Sequence, residues 1–417
     1  MPAGSNFPAV DGDRLWRSLM DLAAIGATPK GGVCRLALTD EDRRAREMFV
    51  EWARAAGCTV RVDPIGNIFA RRAGRDPARP AVMTGSHIDT QPTGGKFDGN
   101  YGVLAGLEVL RRLNDLDIDT EAPVEVVVWT NEEGSRFVPV MMGSAVFAGA
   151  VALDDARAAR DGDGISVGDA LDRIGFAGPP CERPAIDSYF EAHIEQGPVL
   201  EDAGQTIGVV TGALGQRWFD CEVTGFEAHA GPTPMELRRD ALQAAAVLMR
   251  RVVEIALVHA PHARGTVGQV QVHPNSRNVI PGGVIFSVDF RAPDDAMLDA
   301  MEQAFREAMS VVAIDHKVDV ALRETSRFAA LRFDAGCVAE VAAAARDLGV
   351  GAMEIVSGAG HDAIHIATCA PSAMIFVPCA GGISHNELED ADPVDLAAGA
   401  NILLRCILNR ARVVERG

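Results

Sequence analysis

The chain has 417 residues, of which 48% are apolar, and its formal net charge at pH 7 is −19. This length is sufficient for a large buried core and makes two domains the expected arrangement. A strongly acidic protein is a poor partner for nucleic acid or for an anionic membrane surface, so the composition argues against both.

The cysteine pattern and the N-terminal segment predict the compartment. The eight cysteines are scattered without a Cys-x-x-Cys pair, which favours buried thiols in a reducing environment. The segment MPAGSNFPAV has neither the basic start nor the apolar stretch of a secretory signal, and no apolar run approaches the ~20 residues of a membrane span. We therefore expect a soluble cytoplasmic protein.

The first half of the chain alternates predicted helices and strands. Two helices come first, at 13–25 and 39–56, and the second begins with a Thr-x-x-Asp capping signature at Thr39. The next elements, in chain order, are strands at 60–62, 67–70 and 81–84, a helix at 101–113 with a close-packing Gly106, a buried strand at 124–130, helices at 143–150 and 167–174, and a strand at 188–193. This alternation is typical of an α/β fold, and we expect its strands to be parallel.

The pattern changes near Gly212. Predicted strands at 216–224, 265–272, 284–290 and 318–322 are combined with amphipathic helices at 238–258 and 293–312. This strand–helix–strand–strand–helix–strand order is typical of a ferredoxin-like α+β domain. We expect such a domain, residues 213–327, to be inserted into an α/β domain formed by residues 1–212 and 328–417.

The α/β pattern resumes at Phe333. Strands are predicted at 353–356 and 372–377, and a closing helix at 393–411. Asp392 is the expected cap of this helix, because it precedes a proline that suits the first helical position.

Several segments carry metal-competent side chains at or beyond strand ends. These side chains are His87, Asp89, Asp98, Glu132, Glu133, His193 and His385. A lone histidine is more often a surface group, but side chains that follow successive parallel strands converge on one edge of the sheet. Imidazole combined with carboxylate suits zinc and tolerates manganese or cobalt.

Two ions fit this set better than one, because Asp98 can serve as a shared carboxylate. Two metals ~3.5–4 Å apart can activate a water and polarise a carbonyl group. Glu132 and Glu133 are adjacent and point to opposite sides of an extended backbone, so that one can bind metal while the other acts as a base. Asp89 is placed to hydrogen-bond the imidazole of His87 and fix its tautomer.

Seven motifs together resemble the amidase/hydantoinase/carbamoylase branch of the dinuclear zinc metallopeptidases. They are GSHIDT, FDGNYG, NEEGSRF, HIEQGPVLE, AHAGPTPM, NSRNVIPG and SGAGHDA. This branch contains N-carbamoyl-L-amino acid hydrolases, β-ureidopropionases and allantoate amidohydrolases. The resemblance implies an α/β fold with a mostly parallel-sheet zinc-hydrolase catalytic domain. It also implies an inserted ferredoxin-like dimerisation domain that closes over the site as a lid.

The resemblance also implies a role for each metal-competent residue. One ion would be held by His87, Asp98 and His193, and the second by Asp98, Glu133 and His385. Glu132 would be the general base. Zinc is the expected metal, with manganese, cobalt and nickel as alternatives. A histidine at position 193 favours this branch, because the peptidase relatives usually carry a carboxylate there.

The substrate-facing residues implied by the resemblance are Gln196, His229, Asn278, Arg291, Gly360 and His361. His229 would stabilise an oxyanion and, in relatives, reaches the site from the neighbouring subunit of a homodimer. Arg291 would grip a substrate carboxylate, although a strand arginine is more often a surface ion pair. His361 has an alternative role as a helix-start residue, and Arg217 has no predicted side-chain position.

The implied reaction is hydrolysis of a linear amide or ureide carbon–nitrogen bond in a small molecule. N-carbamoyl-L-α-amino acids are the first choice of substrate, N-carbamoyl-β-alanine is close behind, and allantoate is the runner-up. The products would be an amino acid, carbon dioxide and ammonia. Two other classes stay open: a dipeptidase or aminoacylase, against which His193 argues, and a non-catalytic binding protein, against which the complete ligand set argues.

Overall fold

The computed structural model describes residues 7–414. Residues 1–6, which belong to the segment predicted not to be a secretory signal, lie outside this range, as do residues 415–417. Among the helices of residues 7–414, none combines the length and the apolar character that a membrane crossing requires. The chain divides into two compact units: unit 1 comprises the residues up to Thr211 and from Phe333 onward, and unit 2 is Gly212–Arg332.

Sixteen strands form within the described residues. In chain order they are β1 (Thr59–Val62), β2 (Ile68–Arg72), β3 (Ala81–His87), β4 (Val124–Trp129), β5 (Ile186–Ile194), β6 (Ile207–Ala213), β7 (Gly215–Thr224), β8 (Ala228–His229), β9 (Arg264–Thr266), β10 (Val270–His273), β11 (Val279–Ile280), β12 (Gly283–Ala292), β13 (Asp319–Phe328), β14 (Leu331–Arg332), β15 (Ala352–Ser357) and β16 (Ser372–Val377).

The same residues form twelve α-helices and two short 3-10 turns, Met235–Leu237 and Ala380–Gly382. The helices are α1 (Gly12–Ala23), α2 (Asp40–Ala55), α3 (Asn100–Asp115), α4 (Met142–Ala148), α5 (Leu153–Ala158), α6 (Val167–Ile174), α7 (Val199–Ala203), α8 (Ala241–Val258), α9 (Asp295–His316), α10 (Ala335–Leu348), α11 (Asp362–Ile366) and α12 (Pro393–Ala411).

The main sheet of unit 1 has the strand order β1-β2-β4-β3-β5-β16-β6, with β15 also paired to β6. Its four central strands, β4, β3, β5 and β16, are parallel. Every residue of β4 and β16 is buried, which explains why these strands are nearly continuous apolar runs. The predicted α/β class with a mostly parallel sheet is confirmed.

The strands that flank this centre are antiparallel, so the prediction that all strands before Gly212 are parallel is wrong. β1 and β2 form a hairpin, and β2 is also antiparallel to β4. The turn between β1 and β2 is too short for the crossover that parallel strands need. β6, which was not predicted, runs antiparallel to β16.

Local capping signals correctly predicted two helix starts. The Thr39 hydroxyl accepts the N–H of Asp42 at the start of α2. The carboxylate of Asp392 accepts the N–H of Val394 at the start of α12, which has Pro393 in its first turn. Both signals depend only on neighbouring residues, and the ends of these helices agree closely with the prediction.

Helix α3 lies directly on the central strands because two of its residues are glycines. A Cβ at Gly102 would lie 2.3 Å from the carbonyl oxygen of Ala192, and one at Gly106 would lie 3.0 Å from Cγ2 of Thr84. The predicted close packing at Gly106 is therefore confirmed. This contact holds the loop before α3 at the carboxyl ends of β3 and β5.

Unit 2 contains an antiparallel sheet with the order β10-β12-β7-β13, and β9 also pairs with β12. Helices α8 and α9 cover one face of it. The shared core includes Phe219, Leu248, Phe286, Phe290 and Phe305. The short β14 pairs with Gly212 and Ala213 at the end of β6.

The strand predicted at 265–272 is interrupted, so its prediction as one continuous strand is wrong. β9 pairs with one end of β12 and β10 with the other. Between them, the hydroxyl oxygen of Ser287 accepts the N–H groups of Gly268 and Gln269 at 3.1 and 3.0 Å. At the break, this side-chain acceptor adds to one main-chain hydrogen bond, from the N–H of Ser287 to the carbonyl of Gln269 at 3.0 Å.

Replacing Gly102 by alanine is expected to destabilise the protein by about 1–3 kcal/mol, the usual range for an overpacked core. The new Cβ would overlap the carbonyl oxygen of Ala192. Gly162 is the matched control, because a Cβ there meets nothing within 4 Å. Urea unfolding followed by circular dichroism measures both variants, and equal stability of Gly102→Ala and Gly162→Ala would contradict the close helix–sheet contact.

Candidate active site

The metal-competent residues of unit 1 lie at one edge of its sheet. His87 is the last residue of β3, His193 is the penultimate residue of β5, and Glu132 and Glu133 follow β4. His385 lies in the loop between β16 and α12. Parallel α/β sheets bind their ligands at this carboxyl edge.

Asp98 lies at the centre of this group. Its Oδ1 is 3.6 Å from Nε2 of His87 and 3.3 Å from Nε2 of His193. Its Oδ2 is 3.4 Å from Nε2 of His385. The two oxygens of one buried carboxylate therefore face different histidines.

Two groups of three residues place their ligand atoms within 4.8 Å of one another, and both contain Asp98. The first triad is His87, Asp98 and His193, and the second triad is Asp98, Glu133 and His385. A further group that meets the same distance limit is Glu191, His193 and His361.

Main-chain carbonyl groups fix the tautomers of the two buried histidines. Nδ1 of His87 lies 2.9 Å from the carbonyl oxygen of Asp89, and Nδ1 of His193 lies 2.9 Å from that of Ile194. A carbonyl oxygen can only accept, so Nδ1 carries the proton in each ring. With a proton on Nδ1, Nε2 is the ring nitrogen that remains to bind a cation, and in both residues it lies toward Oδ1 of Asp98.

The carboxylate of Asp89 holds the Glu132–Glu133 segment rather than the imidazole of His87. Its Oδ1 is 4.0 Å from Nδ1 of His87, beyond hydrogen-bond distance. The predicted bond from this side chain to His87 is therefore wrong, since the main-chain carbonyl of Asp89 makes it. The two carboxylate oxygens instead accept the N–H groups of Glu132 and Glu133, each at 3.2 Å.

Glu132 and Glu133 face different histidines. Oε2 of Glu132 is 3.4 Å from Nε2 of His87, and Oε2 of Glu133 is 3.4 Å from Nε2 of His385. Glu133 belongs to the second triad, whereas Glu132 belongs to neither triad. Burial raises the pKa of the Glu132 carboxyl well above its usual range. A buried carboxylate beside the metal-competent triads is suited to general-base work.

Three further side chains that sequence patterns did not identify support the site. Glu389 accepts the N–H of Asp98 at 3.1 Å. The Ser384 hydroxyl lies 2.9 Å from Oδ2 of Asp98, and Gln91 donates to Oε2 of Glu133 at 2.7 Å. Glu389 belongs to the acidic run NELED, in which no local sequence pattern distinguishes this buried acid from Glu387 and Asp390.

Left-handed backbone conformations occur at three non-glycine residues of the site. The φ angles of Asn131, Gln196 and His385 are 53°, 59° and 53°. Such residues are uncommon and cluster at functional sites, where the surrounding structure stabilises them. Gln196 is one of the predicted substrate residues, and its Nε2 donates to Oδ2 of Asp98 at 2.7 Å.

The other predicted substrate residues of unit 1 lie beside His193. The ring centroids of His361 and His193 are 4.5 Å apart, and Nε2 of His361 lies 3.0 Å from the Ser357 hydroxyl. Burial and then His193 hold the pKa of His361 well below its usual range, so this ring is neutral. Gly360 lies against Met141, because a Cβ there would be 3.1 Å from the methionine Cε. His361 also occupies the N-cap position of α11.

In unit 2, His229 and Asn278 lie together on a two-stranded ribbon. β8 and β11 pair so that His229 is opposite Val279, and Ala230 donates its N–H to the carbonyl of Asn278 at 2.9 Å. The side chains of His229 and Asn278 are both exposed. The ribbon adjoins the Gly283 end of β12.

Two arginines of unit 2, Arg291 and Arg217, are paired with acids. Arg291 lies eight residues beyond Gly283 on β12, or about 26 Å along the strand, and donates to Asp289 at 3.0 Å. Unit 2 therefore does not bring Arg291 together with His229 and Asn278. Arg217 is buried, and its Nη1 lies 2.9 Å from Glu302 of α9.

The electrostatics of the group fit a bound cation. Burial and then Asp98 raise the pKa of Glu133 to about 8 and that of Glu389 to about 7. Several ionised carboxylates buried together are unfavourable unless a cation neutralises them. Carboxylate oxygen and neutral imidazole nitrogen are also the donors that a zinc ion prefers.

Comparison with protein families gives a match to Peptidase family M20/M25/M40 over residues 83–409. The chain belongs to this family. The M20 family is metal-dependent, in agreement with the donor set at the carboxyl edge of the sheet.

Relatives within the family match almost the whole chain. The chain is 46% identical to the N-carbamoyl-L-amino-acid amidohydrolase of Rhizobium meliloti, over 97% of this chain and 98% of that protein. It is 34% identical to the allantoate amidohydrolase of Bacillus subtilis, over 92% and 93% of the two chains. A hydantoinase/carbamoylase-family amidase from Burkholderia multivorans superposes with a TM-score of 0.94 and 56% identity, over 97% and 98%. The predicted family resemblance is confirmed.

Proposed function

We propose that this M20-family chain hydrolyses the ureido carbon–nitrogen bond of N-carbamoyl-L-amino acids. The observation that carries the proposal is the Asp98 carboxylate shared by the two metal-competent triads. The substrate class is supported by the 46% identity to the Rhizobium meliloti amidohydrolase over nearly the whole chain. N-carbamoyl-β-alanine is the next candidate, because it presents the same ureido and carboxylate groups.

We assign one divalent ion to the first triad and a second ion to the second triad. Zinc is the proposed metal, and manganese, cobalt and nickel are the alternatives. Two such ions would lower the pKa of a water and polarise a carbonyl oxygen.

Glu132 is the proposed general base. Its carboxylate lies 3.4 Å from His87 and outside both triads, and Asp89 fixes its main-chain N–H. Glu132 takes a proton from the attacking water and passes it to the departing amino nitrogen. The carbamoyl carbon gains a bond to the water oxygen and loses its bond to that nitrogen. The amino acid leaves, and the carbamate breaks down to carbon dioxide and ammonia.

Residues from both units are assigned to the substrate. Gln196, Gly360 and His361 border the metal-competent group in unit 1 and are proposed to shape the pocket for the ureido end. Arg291 is proposed to bind the substrate carboxylate, and Asn278 its polar end. His229 is proposed to stabilise the oxyanion that forms at the carbamoyl carbon.

We propose that unit 2 is a dimerisation domain and that a homodimer completes each site. His229 and Asn278 lie beyond one end of β12 and Arg291 near the other, about 26 Å away along the strand. One small ureido acid cannot contact all three residues of the same unit. In a homodimer, one subunit can supply Arg291 while its partner supplies the other two.

The surface of unit 2 supports this arrangement. β10 ends the sheet, and an edge strand is a template for pairing with a second copy. Helix α8 also exposes the apolar side chains of Val247, Val253 and Leu257.

The cytoplasm is the proposed location. All eight cysteines lie in the described part of the chain and are free thiols. Free thiols are expected in a reducing compartment.

A steady-state substrate panel tests the proposed reaction. It compares N-carbamoyl-L-amino acids, N-carbamoyl-β-alanine, allantoate and dipeptides, with ammonia and free amino groups as the readouts. We expect the highest kcat/KM with the N-carbamoyl-L-amino acids. Activity on allantoate alone would instead favour allantoate hydrolysis, which the Bacillus subtilis relative supports, and turnover of dipeptides alone would contradict both reactions.

Replacing Glu132 by glutamine is expected to lower kcat by about 10²–10⁴-fold, because an amide cannot accept the proton. Metal content should stay unchanged, since Glu132 lies outside both triads. Glu133→Gln is the matched comparison and should lose metal as well as activity. Near-normal kcat in the Glu132→Gln variant would refute its role as base.

Mixing two inactive variants tests the shared site. Asn278→Ala and Arg291→Ala each damage both sites of a homodimer, but a mixed dimer carries one site in which both residues are intact. Random reassociation should therefore restore about one quarter of the wild-type activity, measured after exchange of subunits in dilute denaturant. Activity that stays at the level of the separate variants, or a monomer in sedimentation analysis, would contradict the proposal.

A further inference from the structure

Glu191 is a buried carboxylate beside the proposed metal centre, with no part in the reaction steps above. It lies on β5, two residues before His193, so the two side chains are on the same face of the strand. Its side chain is fully buried. One of its oxygens lies within 4.8 Å of ligand atoms of His193 and His361.

Hydrogen-bond donors from three segments meet this carboxylate. Oε1 accepts the Ser86 hydroxyl at 2.7 Å, and Oε2 accepts the N–H of Ala363 at 2.8 Å. Oε2 also lies 3.2 Å from the hydroxyl oxygen of Tyr189. That hydroxyl oxygen is 3.0 Å from the carbonyl oxygen of Gly85, so two acceptors share its single hydrogen. Each oxygen of Glu191 thus accepts at least one hydrogen bond from the surrounding protein.

We propose that Glu191 is a positioning residue that fixes His87, His193 and His361 relative to one another. Its two shortest hydrogen bonds come from Ser86, which directly precedes His87, and from Ala363, which follows His361 by two residues. Its own strand carries His193. Hydrogen bonds to a charged acceptor are stronger than neutral ones, so one carboxylate links all three histidine segments. This inference rests on the proposed metal and substrate roles of these histidines.

The geometry favours positioning over ligation of a third ion. Nε2 of His193 faces Asp98 at 3.3 Å, and its Nδ1 is hydrogen-bonded to a main-chain carbonyl. Nε2 of His361 faces the Ser357 hydroxyl at 3.0 Å. The oxygens of Glu191 already accept from Ser86 and Ala363. Each of these groups therefore has a partner within the protein.

Stability alone does not account for a charge at this place. A buried carboxylate loses its hydration, and an apolar side chain of similar volume is often as stable or more stable. What the carboxylate adds is a defined separation between the ends of β3 and β5 and the turn before α11. Residues that orient metal ligands in this way typically change metal affinity or activity by about 10–100-fold when they are removed.

Three variants of the full-length protein test the proposal. Glu191→Leu removes every acceptor, Glu191→Gln keeps a carbonyl oxygen for the N–H of Ala363, and Ser86→Ala removes the donor next to His87. Zinc affinity is measured without substrate, by competition with a chromophoric chelator, and kcat and KM are measured on the best substrate. Melting of the metal-free proteins monitors folding.

We expect Glu191→Leu to lower zinc affinity and kcat by about 10–100-fold each. Glu191→Gln should recover most of both losses, and Ser86→Ala should lie between them. All three should still bind the wild-type number of zinc ions at saturation, because none of them removes a proposed ligand.

Wild-type zinc affinity and kcat in Glu191→Leu would overturn the proposal. Loss of one zinc equivalent at saturation in both Glu191 variants would also overturn it, because Glu191 would then be a ligand. If Glu191→Leu does not fold, the other two variants decide the test. Wild-type zinc affinity in both Glu191→Gln and Ser86→Ala would then overturn the proposal. Zinc affinity is independent of turnover, so an inactive wild-type protein would refute the proposed function without deciding this test.

Discussion

The carboxylate of Asp98 faces two groups of donor atoms at once, and the surrounding structure keeps it there. Two histidines face one of its oxygens and His385 faces the other. Glu389 holds its main-chain N–H. Gly99 is required next to it, because a Cβ at that position would lie 2.3 Å from the His87 ring. The close packing of α3 on the sheet fixes this loop in turn.

Around Asp98, the carboxylates of two acidic residues hold the main chain of other acidic residues in place. The carboxylate of Asp89 fixes the main chain of Glu132 and Glu133, and Glu389 fixes that of Asp98. Such an arrangement concentrates negative charge where water is excluded, and the raised pKa values of Glu133 and Glu389 reflect this. Without a cation this buried negative charge is unfavourable, and the same charge attracts a divalent cation.

In unit 2, the constraint is the distance between the residues that are proposed to bind the substrate. A strand of ten residues such as β12 is about 33 Å long, far longer than a small ureido acid. Side chains near opposite ends of such a strand cannot contact the same small ligand. The proposed homodimer resolves this by combining opposite ends of two copies.

The sequence by itself determined the features that depend on neighbouring residues. These are the caps of α2 and α12, the buried runs of β4 and β16, and the motifs that indicate the family and its metal-competent side chains. Only the tertiary structure decided which atom of Asp89 contacts His87 and that β6 runs antiparallel to β16. It alone also showed that Glu389 and Glu191 are buried beside the site. The distance between Arg291 and Asn278 likewise became visible only in the folded chain. Each of these depends on the spatial arrangement of segments that local sequence patterns do not encode.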